Sequence, residues 1–565
     1  MGVLETIFNG LARAWSALYL TVTGFFLQRA KYDAVEIKLT GSFPERWTPG
    51  SPLDLRARPR MSHRNLLELL DLVAADPKIK TVVFKIGANS MGFARLQEVA
   101  RAIGRVKAAG KKLAAVIETA GTREYLLAAQ CDHRFILPTG SLALTGLNME
   151  MTYFKGLLDK ADVKPELLVA GKFKSAAETF TRTGASEAAR EMTTGLLDEL
   201  YSQLVADLAE SLGKTKTQVK KLIDGGPYTP PRAVKAGLVD KIAYRDEALK
   251  ELGLKKNKKQ PLQGKPYYRA LSRRVRARAR LIEAPQVAIV HLKGAIREGR
   301  GDPARGMPGA DGYAKILRTL RRSKQIKAVV LRISSPGGGA TGSDLIRREA
   351  QQLAAKKPLI VSLGDIAASG GYFAAVAGET ILAEPGTLTG SIGVIAGKFD
   401  MSGLLGKFGV NVEAHRRGAA AGIFSTSSGF TALERKRMRE LLLNIYDTFK
   451  TAVAEGRKLS KKKVDQLAEG RVWTGSEAVK AKLVDDFGGI GEAMLRAKLA
   501  AGGAEGEPVR VVEYPQVPGA WRMLMQMGQN DVTWRAPHLE LPGVETALEM
   551  SKGPYAGLPF DLKIT

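Results

Sequence analysis

Residues 326–333, with the sequence Ile-Lys-Ala-Val-Val-Leu-Arg-Ile, are nearly repeated 247 positions earlier, where residues 79–86 read Ile-Lys-Thr-Val-Val-Phe-Lys-Ile. Three further segments match in the same order at an offset of 247 or 245: 120–125 with 367–372, 163–171 with 410–418, and 233–240 with 478–485. Matches at a nearly constant spacing indicate an internal repeat. The sequence therefore predicts a tandem duplication.

Apolar runs typical of strands alternate with helical patterns in each copy. In the second copy the predicted strands are 287–291, 328–333, 359–363 and 380–383. The predicted helices are 311–322, 343–355 and one that begins near 370, followed in each copy by a longer helix, at 187–210 and 433–455. Strands that alternate with helices predict an α/β fold with largely parallel pairing.

This organisation predicts five parts along the chain. They are an N-terminal apolar segment (1–45), a first domain (46–250), a basic connector (251–285), a second domain (286–500) and a C-terminal tail (501–565).

The composition excludes several classes of protein. With 565 residues, of which 45% are hydrophobic and 25% charged, the chain is neither disordered nor collagen-like. Its single cysteine, Cys131, excludes an intrachain disulfide and a cysteine-based zinc cluster. The five histidines lie far apart, without the spacing of metal ligands. We expect no metal and no cofactor.

The charge is strongly positive, with 86 Lys and Arg against 57 Asp and Glu, a formal net charge of +29. Residues 255–280 contain eleven Lys or Arg and no acidic residue. Such a segment is either a solvated connector or a surface that faces anionic lipid or phosphate. Specific nucleic-acid binding is disfavoured because only Tyr267 and Tyr268 could stack on bases there.

The N-terminal apolar stretch, residues 14–27, lies between Arg13 and Arg29. It is shorter than the roughly 20 residues that span a bilayer. A short or tilted anchor, an interfacial helix and a buried docking helix are the three interpretations.

The two copies differ where chemistry is expected. Residues 364–372 of the second copy read Gly-Asp-Ile-Ala-Ala-Ser-Gly-Gly-Tyr, which places Ser369 at a turn from strand to helix. A serine there presents its hydroxyl beside a helix N-terminus, where the N–H of Gly370 could stabilise a developing negative charge. The first copy has Thr122 in place of Ser369, and it lacks both glycines.

A serine nucleophile needs a base, and no histidine lies near Ser369 in the sequence. The first copy contains Gly-Lys-Phe-Lys-Ser-Ala-Ala-Glu at 171–178, whereas the matching residues 418–422 read Gly-Ala-Ala-Ala-Gly. The serine thus survives in one copy and Lys174 in the other. This complementary loss predicts one composite site, built across the two domains.

These motifs resemble the long, duplicated form of the signal peptide peptidase A family, also called protease IV. The resemblance covers about residues 35–500 and is densest at 171–180, 334–339, 364–372, 388–394 and 470–475. It implies a fold related to ClpP and the crotonases, with Ser369 as nucleophile and Lys174 as general base of a Ser/Lys dyad. It also implies that Ser391 orients the lysine, and it makes Gly338 and Gly370 candidates for the oxyanion hole.

From this resemblance we expect a serine endopeptidase that degrades remnant signal peptides and similar apolar, extended peptides through an acyl-enzyme. It further implies a homotetramer at the inner membrane with its catalytic domains on the periplasmic side. Two other functions remain open. A crotonase-like CoA-dependent enzyme would need an acid/base carboxylate instead of Lys174, and a non-catalytic membrane-associated scaffold would need neither Ser369 nor Lys174.

Overall fold

The computed structural model describes residues 2–29, 32–46, 61–254, 261–302, 307–516 and 555–556. The elements of the first half are, in chain order, α1 (Gly2–Arg29), β1 (Ala34–Gly41), α2 (His63–Ala75), β2 (Thr81–Asn89), α3 (Phe93–Ala108), β3 (Lys112–Gly121), α4 (Thr122–Ala128), β4 (His133–Ala143), α5 (Lys155–Ala161), β5 (Lys164–Ala170), α6 (Glu178–Thr181), α7 (Glu187–Leu212), α8 (Lys216–Asp224), α9 (Pro230–Lys235), β6 (Lys241–Ile242), α10 (Arg245–Glu251), β7 (Leu262–Gln263) and α11 (Gly264–Leu281).

The elements of the second half are β8 (Gln286–Lys293), β9 (Gly301–Asp302), β10 (Met307–Pro308), α12 (Ala310–Arg322), β11 (Ile326–Ser335), β12 (Gly338–Gly339), α13 (Ala340–Ala354), β13 (Leu359–Ala368), α14 (Gly370–Ala375), β14 (Thr380–Ala383), β15 (Leu388–Gly390), β16 (Val394–Asp400), α15 (Ser402–Lys407), α16 (Ala432–Arg457), α17 (Lys461–Leu467), β17 (Val472–Thr474), α18 (Gly475–Lys480), β18 (Asp486–Phe487), α19 (Ile490–Ala500), β19 (Arg510–Tyr514) and β20 (Tyr555–Ala556).

Each copy is built on a mainly parallel sheet. The first sheet has the order β6-β4-β3-β2-β1-β7, and all of its strands are parallel. The second has the order β17-β15-β13-β11-β8-β19, with β14 on β13 and β18 on β14, and only β17 is antiparallel. The central strands are apolar and covered by helices, as parallel sheets require. The predicted α/β tandem fold is confirmed.

A smaller antiparallel sheet joins the two copies. Strand β5 of the first copy pairs along seven residues with β16 of the second, from Lys164 opposite Asp400 to Ala170 opposite Val394. Gly397 makes this close approach possible, since a Cβ there would lie 2.1 Å from the backbone oxygen of Glu166. The strand that leads to Lys174 is therefore fastened directly to the second copy.

Buried charges make a second junction between the copies. Arg332 of β11 donates hydrogen bonds to Glu45 and to Glu98, a residue of α3, with N···O distances of 3.0 and 3.2 Å for its Nη2. His63 approaches the same Glu98 carboxylate at 2.8 Å. All four side chains are almost fully buried. An unpaired charge in this region would be costly, so the network favours one relative placement of the copies.

The structure extends both sheets beyond the predicted domain limits. Strand β1 falls within segment 1–45 but pairs with β2, and β19 falls within the tail 501–565 but pairs with β8. The connector contributes β7 and the helix α11. These strands pair with partners far along the chain, which the local composition does not reveal. The predicted strands and helices of the second copy are confirmed, with ends that differ by a few residues.

Candidate active site

Ser369 lies at the junction of β13 and α14, and its side chain is fully buried in the chain described here. Its backbone has φ 54° and ψ −119°, a region that non-glycine residues rarely adopt. The strained turn is held by a hydrogen bond from the N–H of Ser369 to the carbonyl of Gly390, at 2.7 Å. A strained turn between strand and helix that projects a serine is typical of a nucleophile.

Lys174 reaches this serine from the other copy. It follows β5 and Gly171, and its Nζ lies 2.7 Å from Oγ of Ser369. The side chain is 2% exposed. Burial lowers the pKa of Lys174 well below its ordinary value of 10.5, because a charged ammonium is disfavoured away from water. The lysine is thus held in contact with the hydroxyl, in a buried environment that favours its neutral form.

Ser391 provides the other hydrogen bonds of the lysine. Nζ of Lys174 lies 2.9 Å from Oγ of Ser391 and 3.1 Å from its carbonyl oxygen. Ser391 also has positive φ, 52°, and its N–H donates to the carbonyl of Arg471 at 2.7 Å. The two contacts fix the direction in which the amine points. Ser369, Lys174 and Ser391 are therefore brought together from segments up to 217 residues apart.

The two glycines predicted for the oxyanion hole are neighbours in space. A Cβ on Gly370 would lie 3.2 Å from the backbone nitrogen of Gly338 and 2.3 Å from Oγ of Ser343. Gly338 has φ 153°, and a Cβ there would meet the backbone of Ile296 at 2.1 Å. Gly338 therefore requires glycine, and a side chain at Gly370 would displace Ser343 and crowd the nitrogen of Gly338. Their backbones converge beside Ser369, the arrangement that an oxyanion hole needs.

Among the described residues, the positions that match Ser369 and Lys174 do not form a second site of this kind. The hydroxyl of Thr122, which replaces Ser369, accepts hydrogen bonds from the backbone nitrogens of Thr145 and Gly146 at 3.1 and 3.2 Å. It is thereby used to hold a loop. Ala421 stands at the position that matches Lys174.

The segment that clamps the lysine could not be identified from the sequence. The carbonyl of Glu469 accepts a hydrogen bond from the N–H of Phe173 at 2.6 Å, and its carboxylate accepts one from the N–H of Lys172 at 2.8 Å. A Cβ on Gly470 would lie 2.6 Å from the Cβ of Lys174. The motif at 470–475 was the available signal, but a motif alone does not identify what it contacts.

The gap between β12 and β16 beside the site, here called the groove, holds an extended strand. Strand β20 lies between β12 and β16 and is antiparallel to both. Gly338 belongs to β12, and the residue before β16, Gly393, lies against Lys174. A chain held between these strands therefore passes the glycines on one side and the lysine on the other.

Comparison with known proteins identifies the family. The model of the peptidase family S49 matches residues 105–259 and 351–503, one match in each copy. The chain is 34% identical over 449 residues to the chloroplastic serine protease SPPA of Arabidopsis thaliana, covering 78% of this chain and 66% of that protein. It is 32% identical over 444 residues to Protease 4 of Haemophilus influenzae, covering 75% of this chain and 70% of that protein.

Among solved structures, a mutant ClpP1 from Listeria monocytogenes is similar over 36% of this chain and 94% of its own, with 15% identity and a TM-score of 0.25. The sequence matches establish the family. The family model matches both copies, and the chain covers about two thirds of the length of each of these two relatives. The chain belongs to peptidase family S49, and by that membership it is a serine peptidase.

Proposed function

We propose that the protein is an endopeptidase with a Ser/Lys dyad, in which Ser369 is the nucleophile and Lys174 the general base. The observation that carries the proposal is the 2.7 Å contact between the Nζ of Lys174 and the Oγ of Ser369 in a buried site. A lysine acts as a base only when it is neutral, and burial lowers its pKa.

The reaction follows from these positions. Neutral Lys174 takes the proton of Ser369 as Oγ attacks the peptide carbonyl, and the N–H groups of Gly338 and Gly370 stabilise the oxyanion. The protonated lysine then gives its proton to the leaving amine. An acyl-enzyme remains, and Lys174 activates the water that hydrolyses it. Ser391 keeps the amine directed at Ser369 in both steps.

The groove between β12 and β16 supports an extended peptide as substrate. Open strand edges bind a peptide through its backbone, so a folded protein would have to unfold locally to enter. Together with the family resemblance, this favours apolar, extended peptides such as remnant signal peptides.

The two alternatives lack this support. A CoA-dependent enzyme needs an acid/base carboxylate, but the hydrogen-bond partners of Lys174 Nζ among the described residues are Ser369 and Ser391. A scaffold has no need for a strained serine and a buried lysine. Both features cost stability and persist where a function requires them.

The test is hydrolysis of a signal-peptide-like apolar peptide by the full chain. We expect Ser369→Ala and Lys174→Ala each to lower kcat by roughly 10⁴-fold or more, as for other nucleophile and base removals. Lys172→Ala is the matched control, since Lys172 is exposed two residues away, and it should retain activity. Undiminished hydrolysis by either dyad variant, with the fold intact, would refute the dyad.

We further propose that α1 and α11 form a surface for anionic lipid. Among the described residues no helix has both the length and the apolar character needed to cross a bilayer. Instead, α1 exposes an apolar stripe of Trp15, Leu18, Val22 and Phe25, at the spacing of one helix face. The inner-membrane location with periplasmic catalytic domains, which the resemblance implies, is part of this proposal.

The basic helix α11 lies against α1. Arg274 donates a hydrogen bond to the carbonyl of Leu20 at 3.0 Å. The groove between the helices is lined by Trp15 and by Arg273, Arg276 and Arg280, and these arginines are exposed. Apolar residues beside a row of arginines suit an interfacial position, with the guanidinium groups at lipid phosphates.

Vesicle sedimentation tests this surface. Full-length protein should bind vesicles that contain phosphatidylglycerol, with an affinity that falls as salt rises, and it should bind phosphatidylcholine vesicles weakly. When Arg273, Arg276 and Arg280 are all changed to Gln, the protein should no longer bind phosphatidylglycerol vesicles more strongly than phosphatidylcholine vesicles. Arg278→Gln is the control. Arg278 also lies on α11, but it forms an ion pair with Glu507 and does not line this groove. Equal binding to both lipids would contradict the proposal.

We also propose head-to-tail assembly into the homotetramer that the resemblance implies. By the repeat, residues 411–417 correspond to β5 and residues 147–153 to β16. Neither segment is in a strand here, and 411–417 is exposed throughout. Val410 and Phe424 are also exposed, whereas their counterparts Val163 and Ala177 are buried at the β5–β16 junction. Pairing 147–153 of one chain with 411–417 of the next would repeat that junction between chains.

Light scattering after gel filtration measures the assembly. The wild-type protein should have the mass of four chains, and Val410→Asp with Phe424→Asp should lower it. Leu499→Asp changes an exposed leucine of α19 and serves as control. An unchanged mass in the double variant would contradict this interface.

A further inference from the structure

The groove beside the dyad is occupied by the chain's own C-terminal segment. Tyr555 pairs with Gly339 of β12 on one side and with Ile395 of β16 on the other, and Ala556 pairs with Gly338. All of these pairings are antiparallel. The segment thus completes a four-stranded sheet, in the order β12-β20-β16-β5.

The position of β20 relative to the catalytic groups is decisive. Its partner Gly338 has its backbone nitrogen 3.2 Å from the place that a Cβ of Gly370 would take. Next to its other partner strand, a Cβ on Gly393 would lie 3.2 Å from Cδ of Lys174. A peptide substrate needs these same two strand edges to present a carbonyl to Ser369. The tail and an extended substrate therefore cannot both lie there.

We propose that the C-terminal segment around residues 555–556 is an inhibitory strand, which occupies the substrate groove without covalent change and competes with peptide substrates. The proposal rests on the proposed function in one respect, namely that the groove is the substrate site. It adds the ligand that fills the groove in the absence of substrate.

Tethering makes a short strand effective. Only 38 residues separate Gln516, at the end of the described part of the second domain, from Tyr555. Fully extended, such a connection spans up to about 130 Å, so the same chain can supply the strand. Tethering to the same chain makes the binding of the strand intramolecular and raises its effective concentration at the groove. Two-residue pairing that would be negligible for a free peptide can then compete with substrate.

The first experiment compares the full chain with a chain that ends at Gln516. Removal of the tail should lower KM for an apolar peptide several-fold and leave kcat unchanged, because the tail competes for the free enzyme only. In the full-length chain, Ala556→Pro should act like the truncation, since proline removes a backbone donor and disrupts the strand. Ala547→Pro, in the same tail, is the control and should keep the wild-type KM.

A second readout does not depend on hydrolysis. In the Ser369→Ala background, the backbone amides of β16 that face β20 should exchange with deuterium more slowly in the full chain than in the truncated one. If neither the full nor the truncated chain cleaves peptide but the amides are protected in the full chain, the proposed peptidase function is contradicted. The binding of the tail in the groove is then still supported. Equal protection and equal KM in both chains would overturn the inhibitory strand.

Two further outcomes would also overturn the proposal as stated. A KM that rises with enzyme concentration would mean that the strand comes from another copy. Loss of tail mass in the wild type but not in Ser369→Ala, measured on the intact protein, would make the tail a substrate rather than a non-covalent competitor.

Discussion

At the scale of single residues, the contact between Ser369 and Lys174 was predictable because the duplication supplied a comparison within one sequence. Thr122 is the counterpart of Ser369, and Ala421 is the counterpart of Lys174. Each copy therefore retains the residue that is replaced in the other. The clamp on Lys174 by Glu469 and Gly470 was not predictable. It depends on contacts between residues almost 300 positions apart, and such contacts leave no local pattern.

Burial of Lys174 should cost stability. Since its pKa is lower in the folded chain than in the unfolded one, unfolding takes up a proton between the two values, and the folded state gains stability as pH rises through that range. We expect Lys174→Met to abolish turnover and to raise the midpoint of urea unfolding at neutral pH. The gain should shrink as pH approaches 10.5, because the unfolded lysine is then neutral as well.

Urea titrations at several pH values measure this effect. Lys172→Met, at the exposed lysine, should shift the midpoint little at any pH. A Lys174→Met variant that is less stable than wild type at neutral pH would show that the lysine is not penalised by burial.

At the scale of elements, the periodic pattern predicted which segments are helices and strands, whereas the pairing of β5 with β16 came only from the structure. Both strands are short, and the repeat counterpart of each is not a strand. Although 163–171 and 410–418 align in sequence, the two copies differ in structure here, so the alignment did not indicate the pairing. Yet this pairing carries Lys174 to Ser369.

Gly397→Ala tests whether the β5–β16 pairing positions the lysine. The added Cβ would lie 2.1 Å from the backbone oxygen of Glu166, so β5 must move away. A displacement of about 1 Å at catalytic groups can cost roughly 100-fold, and we expect kcat to fall at least about tenfold. Gly406→Ala in α15 has open space around it and is the control. A normal kcat in Gly397→Ala would show that catalysis does not depend on the β5–β16 pairing.

At the scale of the whole molecule, the sequence predicted two domains and a shared site but not the buried charges between them. Arg332 lies within the predicted strand 328–333 and is among the largest fully buried side chains. Its partners Glu45 and Glu98 come from the other half of the chain. A charge in a strand can be explained only when its distant partners are known.

Glu384, beside this network, should make stability depend on pH. Burial, followed by the charge of Glu98, raises its pKa to about 8, and its Oε2 has no hydrogen-bond partner among the described residues. The folded chain keeps a proton that the unfolded chain loses above about pH 4.5, so stability falls as pH rises from there to 8. The slope attributable to one group is at most about 1.4 kcal/mol per pH unit.

Glu384→Gln should flatten this decline, as measured by chemical denaturation between pH 5 and 9. The exposed Glu379→Gln should leave the wild-type dependence in place. A decline of equal slope in Glu384→Gln would assign the pH dependence to other groups.

Under the proposed mechanism, the division of the dyad between the two copies also governs when proteolysis can begin. A ribosome completes the lysine-bearing copy first, and that copy contains a base without a nucleophile. The serine is made about 200 residues later, and the two meet only after β5 has docked on β16. A nascent or half-folded chain is therefore harmless to its neighbours, and the fold itself performs the task that other proteases assign to a removable propeptide.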